Sequence, residues 1–127
     1  LTIAAEADEL ILVEENKACI NEMKRNIYER GLKNATARHA ASESALETIQ
    51  SDACIILDPP RAGLHAAVVD RLLEVQPERI IYLSCNPVTQ ARDIALLQDK
   101  YAITHHKGYN FFPRTPHIEH LVVLTRN

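Results

Sequence analysis

The run Arg79-Ile80-Ile81-Tyr82-Leu83 constrains this chain more than any other stretch. It is built of β-formers, and it ends at Ser84-Cys85-Asn86-Pro87, where the proline can open a new helix. That reading sets Cys85 at the carboxyl end of a buried strand. Open α/β sheets bind their ligands at that edge. Two other signals are expected to meet Cys85 there. One is Asp58-Pro59-Pro60-Arg61, which follows the apolar run Cys54-Ile55-Ile56-Leu57. The other is Glu119, between His117 and His120.

The rest of the chain repeats the same alternation. Residues 1–7 read as the tail of a helix and 9–13 as a short buried strand ending at Glu14-Glu15. Residues 16–30 carry Ala18, Cys19, Met23 and Ile27 at helical spacing, and Gly31 is a good stop. A third short strand is expected over 35–38 and a short helix over 42–50 with Ser42 as its N-cap. Strands over 53–57 and 79–83 then alternate with helices over 64–75, with Leu64, Val68 and Leu72 inward, and 88–98, with Ile94 and Leu97 on one face. Two longer strands, 101–109 and 118–125, close the chain as antiparallel neighbours. Strands alternating with helices imply a parallel sheet with right-handed crossovers. The closing pair adds one antiparallel member.

Composition narrows the class. At 127 residues and 46% apolar content the chain is long enough for one domain with a real core. A net charge of −3 leaves no strong electrostatic footprint for nucleic acid. Three cysteines without a C-x-x-C pair argue against a disulfide framework or a zinc knuckle, and free thiols suit a reducing, cytoplasmic setting. Neither a signal peptide nor a membrane span is expected.

Three motifs in order then carry a resemblance that covers nearly the whole chain. Asp58-Pro59-Pro60-Arg61-Ala62-Gly63-Leu64, Ser84-Cys85-Asn86-Pro87 with Ala91-Arg92-Asp93, and Phe112-Pro113-Arg114-Thr115-Pro116-His117-Ile118-Glu119 are similar to successive motifs of the S-adenosylmethionine-dependent RNA uracil-C5 methyltransferases. The resemblance implies an α/β fold of the Rossmann-like class I methyltransferase type, mostly parallel with one antiparallel C-terminal strand. It implies Cys85 as nucleophile and Glu119 as general base. Asp58 corresponds to a residue at the cofactor and substrate edge, and Glu14 to the acid that binds the cofactor ribose hydroxyls. S-adenosyl-L-methionine is the implied cofactor and ribosomal or transfer RNA the implied partner. The sequence departs from the family at Asn110, where an Asp is usual. The family's first strand and its Gly-rich loop have no counterpart here, so residues 1–127 are expected to be a single, truncated methyltransferase domain, the C-terminal part of a longer enzyme.

The chemistry explains the residue types. C5 of uracil is a poor nucleophile until a thiolate adds to C6 and loads electron density onto C5; a base then removes the C5 proton. The thiol must be reachable as thiolate, and the base must be a carboxylate near C5. Plainer roles stand beside these. Cys19 and Cys54 read as buried small hydrophobes. Glu15 suits a helix start, Arg61 an anchor for a carboxylate or a phosphate. His105 and His106 read as surface residues. His117 and His120 fall on opposite faces of a strand, so no metal site is expected. Lys107, Arg114 and Arg126 are either solvated cations or contacts to RNA phosphates. Two other functions compete: an amino-methyltransferase of nucleobases, which shares Asp-Pro-Pro but needs no thiol, and a non-catalytic module that binds RNA or a partner.

Overall fold

The computed structural model describes residues 2–127. The chain divides into two compact units, the first ending at Thr48 and the second spanning Ile49–Asn127.

In the first unit a 3-10 turn at Thr2–Glu6 precedes strand β1 (Leu10–Glu14), helix α1 (Lys17–Glu29) and strand β2 (Ala35–His39). β1 and β2 pair in parallel, from Leu10 opposite Ala35 to Glu14 opposite His39, with α1 as the crossover. Asn16 caps α1 by accepting from the amides of Ala18 and Cys19. At the other end Gly31, at φ +61°, lets its own N–H reach the Tyr28 carbonyl and that of Leu32 reach Ile27, the paired bonds that close a helix through a left-handed residue. Asn34 ties the N-terminal turn down, its amide donating to the carbonyls of Ala4 and Ala7.

Two expectations fail in this unit. Cys19 and Ala18 are exposed, because the inward stripe of α1 is Ile20, Met23 and Ile27, and Cys19 stands one residue, about 100°, off it. Residues 42–50 form no α-helix. Two 3-10 turns, Ser42–Ser44 and Leu46–Thr48, stand there, and Ala41 rather than Ser42 occupies the cap position, without a side-chain bond. The segment is too short to recover the cost of helix nucleation, and its hydroxyls compete for the backbone: Thr48 Oγ1 donates to the Ala45 carbonyl.

The second unit is a four-stranded sheet in the order β3-β4-β6-β5, comprising β3 (Cys54–Leu57), β4 (Arg79–Ser84), β5 (Tyr101–Tyr109) and β6 (Glu119–Arg126). β3 and β4 are parallel, and β6 lies antiparallel to both β4 and β5. Helices α2 (Ala66–Val75) and α3 (Pro87–Leu97) make the crossovers. The core is Val68, Val69 and Leu72 of α2, Ile80 and Tyr82 of β4, Leu97, Tyr101, and Val122 and Leu124 of β6. Leu64 lies outside α2, half-buried in the loop, because His65 caps that helix through its ring nitrogen. Cys54 is exposed, contrary to expectation. β3 is an edge strand of this sheet, and its alternation turns Cys54 and Ile56 outward, Ile55 and Leu57 inward.

The fold is therefore mixed α/β of the Rossmann-like kind, with a parallel pair in each unit and one antiparallel strand near the C-terminus. No helix among the described residues is long and apolar enough to cross a membrane.

Candidate active site

Three adjacent strands of the second unit bring the sequence-selected residues to one sheet edge. Asp58 follows the last residue of β3, Cys85 follows the last residue of β4, and Glu119 is the first residue of β6. The β4–β6 ladder ends at the pair Ser84 and His120, and the same register continued by one residue sets Cys85 opposite Glu119. Directly opposed residues of an antiparallel pair share a face. Leu57 pairs with Tyr82, so Asp58 stands level with Leu83 on the other flank of β4. Cys85 and Glu119 are half-buried and Asp58 is exposed.

Cys85 is fixed by its neighbours. The Ser84 hydroxyl accepts the Asn86 amide at 3.0 Å and donates to the Asn86 carbonyl at 3.1 Å, which tightens the chain around the thiol. Asn86 then caps α3 through the Val88 amide, with Pro87 in the first turn. The same Asn86 side chain donates to the Arg61 carbonyl, which Thr89 Oγ1 also reaches. Arg92 donates to the Ala62 carbonyl and Asp93 accepts from the Leu64 amide. The loop after Asp58 is thus fastened to α3 at Arg61, Ala62 and Leu64. Gly63 is required there: its φ is +87°, and a Cβ would stand 2.5 Å from Asp93 Oδ2.

Two buried polar residues hold this arrangement: Gln90, which the sequence reading missed, and Asp93, which it named only within a motif. Asp93 is 1% exposed and takes Tyr82 Oη at 2.8 Å as well as Leu64 N and Arg92. Burial, and then the hydrogen bond to Asp93, push the Tyr82 phenol well above its usual range. Gln90, also 1% exposed, donates to the carbonyls of Tyr82 and His120 and faces His120 Nδ1 through its oxygen at 2.7 Å. Since both amide hydrogens go to carbonyls, His120 Nδ1 must carry the proton it shares with Gln90. Burial, then the neighbouring His106 ring 5.7 Å away, lower the His120 pKa. A cavity of about 660 Å³ borders this Gln90–His120 pair, with Ile94, Tyr101, His106 and Val122 among its walls. The only sequence signal for either residue was the Ala91-Arg92-Asp93 triplet, which identified Asp93 without suggesting its burial.

The remaining candidates fall elsewhere. Glu14 ends β1 in the first unit, half-buried, with Oε1 accepting the Asn16 amide at 2.7 Å. Arg126 lies at the far end of β6 from Glu119 and donates to the Gln76 carbonyl, so it is structural and not part of this edge. His105 and His106 are exposed. Among the described residues no three metal-ligating side chains gather.

The model of the family described as tRNA (uracil-5-)-methyltransferase matches residues 4–127. An uncharacterized RNA methyltransferase of Porphyromonas gingivalis is 35% identical over 98% of this chain, and the tRNA (uracil(54)-C(5))-methyltransferase of Schizosaccharomyces pombe is 34% identical over 92%. The chain spans only 28% and 24% of those two relatives. Among solved structures, Pyrococcus abyssi tRNA (uracil-54, C5)-methyltransferase, in complex with S-adenosyl-L-homocysteine, superposes with a TM-score of 0.84 at 32% identity, covering 97% of this chain and 30% of that one. An rRNA methylase of Streptococcus thermophilus, at 11% identity and a TM-score of 0.72 over 98% of this chain and 76% of its own, shares the fold alone.

Proposed function

Because this chain belongs to the tRNA (uracil-5-)-methyltransferase family, we propose that it carries the reaction centre of an enzyme that methylates C5 of a uridine in RNA. Cys85 is the nucleophile and Glu119 the base, and Asp58 lines the cofactor and substrate edge. The observation that carries this reading is the register across β4 and β6, which leads to Cys85 and Glu119 side by side at one sheet edge.

The Cys85 thiolate adds to C6, forming an S–C bond and pushing the ring electrons onto C5 and O4. C5 then forms its bond to the incoming methyl group. Glu119 takes the C5 proton, the electrons of the broken C–H bond restore the C5–C6 double bond, and the Cys85 sulfur leaves as thiolate. S-adenosylmethionine, when held here, would supply that methyl group from its electrophilic sulfonium, whose sulfur would keep the electrons of the broken S–C bond and leave as a neutral thioether. Glu14 fits its ribose: the carboxylate is steadied at the strand end by the Asn16 amide, and a carboxylate can accept from both hydroxyls of a diol. On this reading both units, residues 1–127 together, serve one methyltransferase domain, with RNA as its partner. Ser84→Ala would remove the hydroxyl that holds the Asn86 amide and carbonyl and so disturb the thiol's aim.

The test uses the natural polypeptide, S-adenosylmethionine and RNA carrying 5-fluorouridine. Fluorine cannot leave as a cation, so the adduct cannot be resolved and should survive a denaturing gel. Cys85→Ala should give neither adduct nor methylated RNA. Glu119→Gln should still form the adduct with ordinary uridine but release it roughly 100- to 10,000-fold more slowly, the usual scale for a lost general base. Methyl transfer by Cys85→Ala would overturn the assignment and favour chemistry on a base amine.

A further inference from the structure

Beside Glu119 stands a group of side chains that the reaction as written does not use. Lys107, Tyr109 and Phe111 are alternate residues at the end of β5 and just beyond it. Tyr109 is the direct cross-strand partner of Glu119, and Lys107 that of Leu121, so these side chains rise on the Glu119 face of the sheet. The Tyr109 and Phe111 rings are stacked, 5.5 Å between centroids and 14° from parallel. Lys107 Nζ lies 5.3 Å from the centre of the Tyr109 ring. Phe111 is nevertheless 62% exposed. The loop that follows is folded on itself, with the Thr115 amide and hydroxyl both donating to the Phe112 carbonyl and the His117 amide donating to Thr115 Oγ1. The Phe111 ring thus borders a turn with internal bonds of its own, and Tyr109 backs it.

We propose that the exposed Phe111 ring, backed by Tyr109, is a stacking platform for an unpaired base of the substrate RNA next to the uridine held at Cys85 and Glu119. A base that enters such a centre must leave its own stack, and its neighbours lose a stacking partner when it goes. A flat aromatic surface at the rim replaces that partner without reading sequence, since every base has a π-face. Charge fits the same occupant. Lys107 lies against the pair and Arg114, three residues after Phe111 in sequence, is exposed; both suit phosphates, and Glu119 is the acidic member of this face, directed to the reacting base. The inference rests on the uracil-C5 reading for its substrate, but its test does not depend on methyl transfer.

Binding of unmodified transfer-RNA and ribosomal-RNA hairpin transcripts to the natural polypeptide, followed by fluorescence anisotropy, provides that test. Phe111→Ala should weaken binding of the accepted transcript by about tenfold, the scale of one lost base–aromatic stack. Phe111→Trp and Phe111→Tyr should restore it, and Phe111→Leu should not. S-adenosylhomocysteine affinity should stay within about twofold in all four, because a stacking loss touches only RNA. Unaltered RNA binding in Phe111→Ala would overturn the platform. Rescue by Leu as complete as by Trp would also overturn it, since that is the signature of apolar packing against protein. A Cys85→Ala protein that still methylates would instead sink the uracil-C5 reading, and the Phe111 series would remain a valid measure of RNA stacking.

Discussion

Asp93 is a carboxylate placed where solvent hardly reaches it, and its partners account for its survival there. Tyr82 Oη, the Leu64 amide and the Arg92 guanidinium all donate to it. Hydrogen bonds to a charged group are worth roughly 1.5–3 kcal/mol each, and the cost of stranding a partner is larger than the bond itself. Tyr82→Phe should therefore lower stability at neutral pH by about 1.5–3 kcal/mol in urea titrations. The pH dependence has a definite sign. The folded protein holds the Tyr82 phenol above its ordinary pKa, so the protonated form is the one folding favours. That contribution is complete below about pH 10, the unfolded value, and is lost as pH rises toward the folded one. Tyr101, buried and likewise shifted up, acts in the same direction. Native stability should fall above about pH 10, by up to roughly 1.4 kcal/mol per pH unit for each phenol, and Tyr82→Phe should lose one phenol's share of that slope. An unchanged alkaline slope in that variant would remove Tyr82 from the account. None of this was legible beforehand: Tyr82 read as one more β-former, and an Asp in a helix is written in sequence the same way whether it faces water or a phenol.

At the scale of elements, the strands that carry chemistry were the legible ones. The apolar run before Cys85, the run before Asp58 and the closing antiparallel pair all fold as read, each to within a residue or so at its ends. Their periods are simple, and the turn residues around them are decisive. Segments whose order depends on hydroxyls and short apolar pairs were misread, as the two 3-10 turns at Ser42–Thr48 show. The inward face of α3 was read only in part. Leu97 is buried as expected, but Gln90 and Asp93 share its stripe at helical spacing, and polar letters on that stripe hide it. Gln90 is a tie between elements: one side chain bridges the end of β4 and the start of β6, the two strands that deliver Cys85 and Glu119. Gln90→Leu keeps the volume and strands two carbonyls and the His120 N–H. It should cost about 2–4 kcal/mol by the usual penalty for unsatisfied buried groups. Its local signature is the His120 ring. With the Gln90 oxygen gone, the shared Nδ1 proton loses its acceptor, and the His120 side-chain NMR signals should report a mixture of tautomers in place of one. The native protein should also lose stability as pH falls below about 6.5, because folding holds His120 below its ordinary pKa and so favours the neutral ring. His120→Asn should flatten that acid limb; the same limb in both proteins would assign it to another group.

Across the whole molecule, apolar burial is unequal. Among the described residues the first unit buries only Ala4, Ile20 and Ala45 of its apolar side chains, whereas the second holds Val68, Val69, Leu72, Ile80, Tyr82, Leu97, Tyr101, Val122 and Leu124. Buried apolar area is the main favourable term in folding, so the first unit should open at lower free energy. β4 and β6, each hydrogen-bonded on both sides, should be the slowest of all to exchange their amides. The proposed roles divide along the same line: Cys85 and Glu119 stand in the better-packed unit and Glu14 in the weaker one. A ligand that binds only the closed form stabilises whatever it needs closed, by about 2.7 kcal/mol at a hundredfold excess over Kd. If Glu14 takes the cofactor ribose, S-adenosylhomocysteine added to the natural polypeptide should slow exchange in β1 and the first turn of α1 by up to about a hundredfold, as it slows the global opening through which β4 and β6 exchange. Glu14→Gln keeps the shape of the side chain and removes its charge, so it should lose most of that protection while the basal exchange of β1 stays the same. Protection by cofactor that is equal in both proteins would move the ribose contact away from Glu14, and protection of β4 and β6 with none in β1 would mean that the cofactor is held by the second unit alone.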